Sequence, residues 1–168
     1  IASSAFGGGS TSQFNEGTLN IKVGSESALT INVDSTNNTL AGMRDAINTQ
    51  GKIAGISATI VTDSQGSRLV LSSSKMGDGN DITMTGISTG AGSTSMEGLT
   101  FPPVALNPDD FATSAEYDAA VAASATKAGK TITTAQSAQL TGDGLDIVSD
   151  SNNIDKVIDG VSLKLTRA

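Results

Sequence analysis

The residues in this chain with the greatest chemical potential are acids set beside glycine. Gly77-Asp78-Gly79-Asn80-Asp81-Ile82 resembles one copy of the glycine–aspartate calcium repeat, where loop carbonyls and carboxylates supply hard oxygen ligands. Such repeats bind calcium as stacked arrays, so a single imperfect copy predicts a surface turn. Asp143, Asp146, Asp150 and Asp155 make a second acidic group. An EF-hand loop beginning at Asp150 would put Ile154 where an oxygen ligand belongs, and the required glycine does not follow; hairpin-turn acids are the better reading. Asp109 with Asp110 or Asp118 could in principle act as paired carboxylates. Acids at a helix start, however, are already explained by the helix dipole.

Nucleophilic chemistry lacks its partners. The chain has no histidine and no cysteine, so its serines have no imidazole base, and disulfides, thiolate zinc sites and most transition-metal sites are excluded. No Gly-x-Ser-x-Gly elbow leads from a strand into a helix. The expectation is a protein that is not an enzyme, with no cofactor and no metal. A net charge of −7 with scattered lysines and arginines argues against nucleic acid as a partner. No apolar run is long enough to cross a bilayer, and the start is not a basic, apolar signal peptide. Beginning at Ile1 and ending in a strand-like pattern, the sequence reads as a piece of a longer chain.

The elements that would position any site are short. Residues 29–57 read as strand, turn, helix, turn and the start of a strand. Leu40, Met43 and Ile47 recur at helical spacing, Asn38 or Thr39 can cap the first turn, and Gly51 ends it. Asn48 reads either as a solvated residue or as a side chain tying the helix end to the next loop. Around this helix the period changes to two: strands are expected at 17–23, 29–33, 56–61, 68–71 and 82–87, with hairpin connections at Gly24-Ser25-Glu26-Ser27 and Asp63-Ser64-Gln65-Gly66. Residues 1–13 are small and polar after Phe6 and read as a lead-in with a flexible Gly7-Gly8-Gly9 joint.

In the second half, Asn107-Pro108-Asp109-Asp110 predicts a helix start, with Lys127 and Gly129 near its end. Strands are expected at 138–141, 145–148 and 161–165. Asp143-Gly144 and Asp159-Gly160 are dipeptides that tight hairpins favour. Gly142 stands where an apolar strand residue is expected, which predicts a bulge in the first of these hairpins. Asn152-Asn153 marks a bend before an apolar cluster of Ile154, Val157 and Ile158. A strand at 161–165 could pair beside the N-terminal segment. The overall expectation is an α+β fold, mainly antiparallel β with one or two short helices.

LAGMRDAIN (40–48), the following glycine, ISATIV (56–61) and SRLVLSS (67–73) together resemble the flagellin IN motif, named for Ile47 and Asn48. The start IASSAF with GTLNIKVG (17–24), and the end AQLTGDGLDIVSDSNNIDKVIDGVSLKL (138–165), resemble the way in and out of the head of the flagellar filament-capping family, hook-associated protein 2. Residues 89–135 match nothing in that pattern. The resemblance implies two small β-rich head subdomains, 14–100 and 1–13 with 101–168, both chain ends leading to a helical leg. It further implies a structural, chaperone-like role outside the cell at the flagellum tip after export by the flagellar secretion system, with a ring of identical copies and flagellin as partners. The alternatives are a flagellin outer domain or an adhesive domain binding host mucin or glycans through exposed loops. Leu40, Met43, Ile47, Asn48, Asp143, Gly144, Asp159 and Gly160 would be the structural motif residues.

Overall fold

Alternation of apolar and polar residues decides the first sheet. Strand β1 (Gly17–Val23) buries Leu19, Ile21 and Val23 and turns Lys22 to solvent. It pairs antiparallel with β2 (Leu29–Val33), placing Leu19 opposite Ile31. Its other edge takes β5 (Ile82–Ser88), also antiparallel, so β1 is central in the order β2-β1-β5. Between β2 and β5 run helix α1 (Leu40–Gln50) and a two-stranded sheet of β3 (Ile56–Asp63) and β4 (Gly66–Ser73). Apolar side chains from α1 and both sheets meet in one core. The computed structural model describes residues 1–90, 94–102, 107–127, 129–142, 145–158 and 161–165.

Residues 1–6 of the entry segment are built into this core, while the chain turns to solvent after Phe6 at Gly7 and Gly8. Ile1, Ala2, Ala5 and Phe6 are buried. Residues 1–6 run along the outer edge of β4: the Ser3 N–H donates to Leu69 O at 2.9 Å, the Leu71 N–H to Ile1 O at 2.9 Å and the Phe6 N–H to Ser67 O at 2.9 Å. Gly66 permits this approach, because its φ is +133° and a Cβ there would lie 2.6 Å from Phe6 O. The 161–165 pattern does not pair beside this segment. It pairs instead with the strand before it.

In the second half the helix begins later than expected. Asn107-Pro108-Asp109-Asp110 forms only a single 3-10 turn, capped by Asn107, and the chain is extended again at Phe111. Helix α2 (Ser114–Lys127) starts from a different signal. The Thr113 hydroxyl accepts from the Glu116 N–H at 3.2 Å while the Glu116 carboxylate accepts from the Thr113 N–H at 3.1 Å, a reciprocal capping box that satisfies two amides otherwise left over.

Two antiparallel hairpins follow, β6 (Ala138–Gly142) with β7 (Leu145–Ser149), and β8 (Asn153–Ile158) with β9 (Val161–Lys164). The β6–β7 register runs unbroken from Ala138↔Ser149 to Gly142↔Leu145, so the bulge expected at Gly142 is absent from it. The register irregularity falls instead between Ile154 and Ile158. A register break disturbs the two-residue period, which is why 154–158 reads as a cluster rather than as β8. The fold is α+β, with all the described strand pairings antiparallel and two helices among the described residues.

Candidate functional site

Helix α1 joins the two sheets through its cap and its last turn. The Thr39 hydroxyl accepts from the Gly42 N–H at 3.0 Å, fixing the first turn. From there Leu40, Met43 and Ile47 project into the core and are fully buried. Asn48, one position on, turns to β3: its amide donates to Ala58 O at 2.9 Å and its carbonyl accepts from the Ala58 N–H at 2.8 Å. The partner is a strand residue rather than the intervening loop. The carboxamide thus acts as one more strand residue, occupying both polar groups on an edge of β3 that would otherwise need water or another chain. Asn48→Ala is expected to cost about 2 kcal/mol, for two backbone groups left without partners, lowering the thermal midpoint by roughly 4–8 °C. A calorimetric melt checks this.

The β3–β4 turn is tied to the N-terminal segment by a largely buried arginine. Arg68 donates through Nε to Asp63 at 3.1 Å and through Nη1 to Ser3 O at 3.1 Å. The Gln65 N–H donating to Asp63, and then Arg68, hold the Asp63 carboxyl below its ordinary value of 3.8. A carboxyl with a depressed folded pKa gives stability that is present above its unfolded value and lost as pH falls through the folded one. The turn is therefore expected to weaken as pH drops below about 4. Melts across that range should show Asp63→Asn losing less of its midpoint on acidification than the parent chain.

The glycine–aspartate run forms a surface loop after β4, and its acids face the second half of the chain. The Asp78 N–H donates to Ser137 Oγ at 3.0 Å, and the Ser137 N–H returns a bond to Asp78 Oδ1 at 3.3 Å. Ser137 Oγ donates to Asp150 at 2.8 Å, and the Ala135 N–H donates to Asp81 at 2.9 Å. Asp146 accepts from the Thr141 hydroxyl at 2.9 Å within its own hairpin. Among the described residues no three acids gather in a way that could hold a metal ion. Asp109 and Asp110 sit on the 3-10 turn and Asp118 on α2. Asp143, Gly144, Asp159 and Gly160 lie outside the described residues, as does the Asp155 side chain. Gly86-Ile87-Ser88-Thr89-Gly90 has the spacing of a nucleophile elbow, but it leaves a strand for a loop, and the Ser88 hydroxyl accepts from the Met96 N–H at 3.0 Å.

Between the halves lies a cleft of about 490 Å3, with Leu71 and Ile82 on one side and Ile132, Thr134 and Asn152 on the other. Sequence reasoning missed Ser3, Ser137 and the aromatic pair Phe6–Phe14, whose rings meet edge to face at 4.8 Å. No periodic signal marks them: Ser3 and Ser137 act through partners distant in the chain, and the two rings are separated by a stretch of small and polar residues.

A helix whose stripe fills a core between two small sheets, with Ile47 in that core and Asn48 closing the sheet edge, defines a module of the flagellin hook IN motif class; that family's model matches residues 18–75. The B-type flagellar hook-associated protein 2 of Pseudomonas aeruginosa is 47% identical over 163 residues, covering 96% of this chain and 31% of that protein. The crystal structure of FliD (HAP2) from P. aeruginosa PAO1 superposes with a TM-score of 0.77 at 40% identity, covering 99% of this chain and 73% of that one. The D2–D3 domains of the Serratia marcescens flagellar cap protein FliD share the fold, with a TM-score of 0.70 at 20% identity over 98% of this chain and 78% of that one. The chain belongs to the FliD family, hook-associated protein 2. It spans about a third of the length of that curated relative.

Proposed function

We propose that this chain is the head of a bacterial flagellar cap, standing outside the cell at the filament tip and assisting flagellin assembly as a structural, chaperone-like part. The observation that carries this reading is the 40% identity and TM-score of 0.77 across 99% of the chain with FliD (HAP2) of P. aeruginosa. Its relatives are named as hook-associated and cap proteins, which favours the cap over a flagellin outer domain. In this reading the full-length protein forms a ring of identical copies, flagellin is its client, and it reaches the tip by flagellar export. The proposed division sets 14–100 as one β-rich unit and 1–13 with 101–168 as a second, with residues 1–6 of the second packed along β4 and into the core of the first. Ala2 touches both, bridging to Val70 in β4 and to Lys130 beyond α2.

The test is a chimera in which this chain replaces the matching region of P. aeruginosa hook-associated protein 2, in cells lacking their own copy. Restored swimming, with flagellin retained on filaments, is the expected result. Normal export of the chimera with flagellin shed as monomer would refute the reading. Host mucin or glycan binding is a separate role, tested by a glycan array with the isolated chain.

A further inference from the structure

The segment 130–137 crosses the cleft between the two halves and is fastened at both ends in different ways. At its start the fastening is backbone to backbone: the Ala2 N–H donates to Lys130 O at 2.8 Å, and the Lys130 N–H donates back to Ala2 O at 2.9 Å. Gly129 lies so close to this bridge that a Cβ there would come within 2.5 Å of Ala2 O. At its far end the fastening is made by exposed side chains. Asp81 holds the Ala135 N–H, Asp78 exchanges two bonds with Ser137, and Ser137 passes one on to Asp150 after β7. Between these fastenings Ile132 is 56% exposed and lines the cleft with Thr133 and Thr134.

These two fastenings differ in kind. A bridge of paired backbone groups can keep both its bonds while the glycine beside it changes φ and ψ. Exposed hydrogen bonds to carboxylates compete directly with water and are individually weak. A hinge at one end and a releasable clasp at the other is the arrangement from which domain-scale swings are built. Gly77 sits under the clasp with φ of +95°, and a Cβ on it would lie 2.7 Å from the Asp150 Cβ. The close approach of the loop to Asp150 therefore depends on the absence of a side chain at this position.

We propose that residues 130–137 are a hinged strap, pivoting at Ala2–Lys130 and held shut by a latch of Asp78, Asp81, Ser137 and Asp150, which sets how the β6–β9 hairpins stand against the first unit. The proposal rests on this geometry and not on the cap reading. It assigns a mechanical task to the glycine–aspartate loop.

The chain has no cysteine, so spin labels can be placed only where they are wanted. Ile53→Cys, on the fully exposed loop after α1, and Val148→Cys, 64% exposed on β7, report the distance between the two parts. With the latch intact, double electron–electron resonance is expected to give one narrow distance distribution. Ser137→Ala removes the shared hydroxyl and should broaden or shift the distribution by several ångströms with the thermal midpoint nearly unchanged; Gly77→Ala forces the loop away from Asp150 and should do the same, with a lowered midpoint from its strained backbone. Ser137→Thr, which keeps the hydroxyl, should restore the narrow distribution. Distributions for Ser137→Ala and Gly77→Ala that match the parent chain would overturn the proposal.

Discussion

Replacing Ile47 with aspartate is expected to unfold the first half of the chain. The side chain is fully buried between α1 and the two sheets, beside Leu40 and Met43. The change forfeits about 1.5–3 kcal/mol of apolar burial. It also places a carboxylate among hydrocarbon, where an unpaired polar group costs several kcal/mol more, roughly 2–7 by reference state. Together these come to roughly 3.5–10 kcal/mol, comparable to the whole margin of about 5–15 kcal/mol that keeps a domain folded. Urea titration followed by circular dichroism should show the transition moved to low denaturant or absent. Arg44→Ala three residues earlier removes only an exposed ion pair with Asp45 and should leave the midpoint almost unmoved. A normal midpoint for Ile47→Asp would mean that α1 does not anchor the core.

Phe6→Ala is expected to be nearly as damaging, and it tests the part of the molecule that sequence periodicity concealed. The Phe6 ring meets Phe14 edge to face and lies so close to Gly98 that a Cβ there would approach it to 2.9 Å. Truncation leaves a cavity and loses an aromatic pair, a loss of about 3–5 kcal/mol. For a chain of this size that corresponds to a midpoint lowered by roughly 10 °C. Phe6→Leu should recover much of it by refilling the space. A midpoint within error of the parent for Phe6→Ala would show that residues 1–6 cover the β4 edge without supporting it.

What the sequence discloses about this fold follows from how local each signal is. Leu40, Met43 and Ile47 carry a helical period, and Leu19, Ile21 and Val23 a strand period, so α1 and β1 are legible from neighbours alone. Strand β8 is not, because the break in register between Ile154 and Ile158 disturbs its alternation. The start of α2 was legible but overshadowed. Thr113 and Glu116 have capping-box spacing, while the more conspicuous Asn107-Pro108 signal completes only one turn. The burial of residues 1–6 cannot be read locally at all: alanine and serine are at home on any surface, and the Ser3 hydroxyl, which donates to the neighbouring Ser4 O, accepts inside from the Leu69 N–H 66 positions away.

The same limit applies to the site. Asn48 finds Ala58 ten positions on, within reach of a single supersecondary unit, and its residue type already suggested a tie. Asp78 finds Ser137 across 59 positions, and nothing in a glycine–aspartate turn announces that distance. Acids beside glycine read as a surface turn, and folding gives Asp81 and Asp78 the backbone amides of Ala135 and Ser137, and Asp150 the Ser137 hydroxyl.

The central claim is that this chain serves at the tip of a filament, and position is its most direct test. The chimera described above, carrying Ile53→Cys on its exposed loop, can be labelled with a thiol-reactive dye on living cells and imaged along each flagellum. One focus at the distal end of each filament is the expected result. Label spread along the filament, as for a building block, or found only free in the medium, would contradict it.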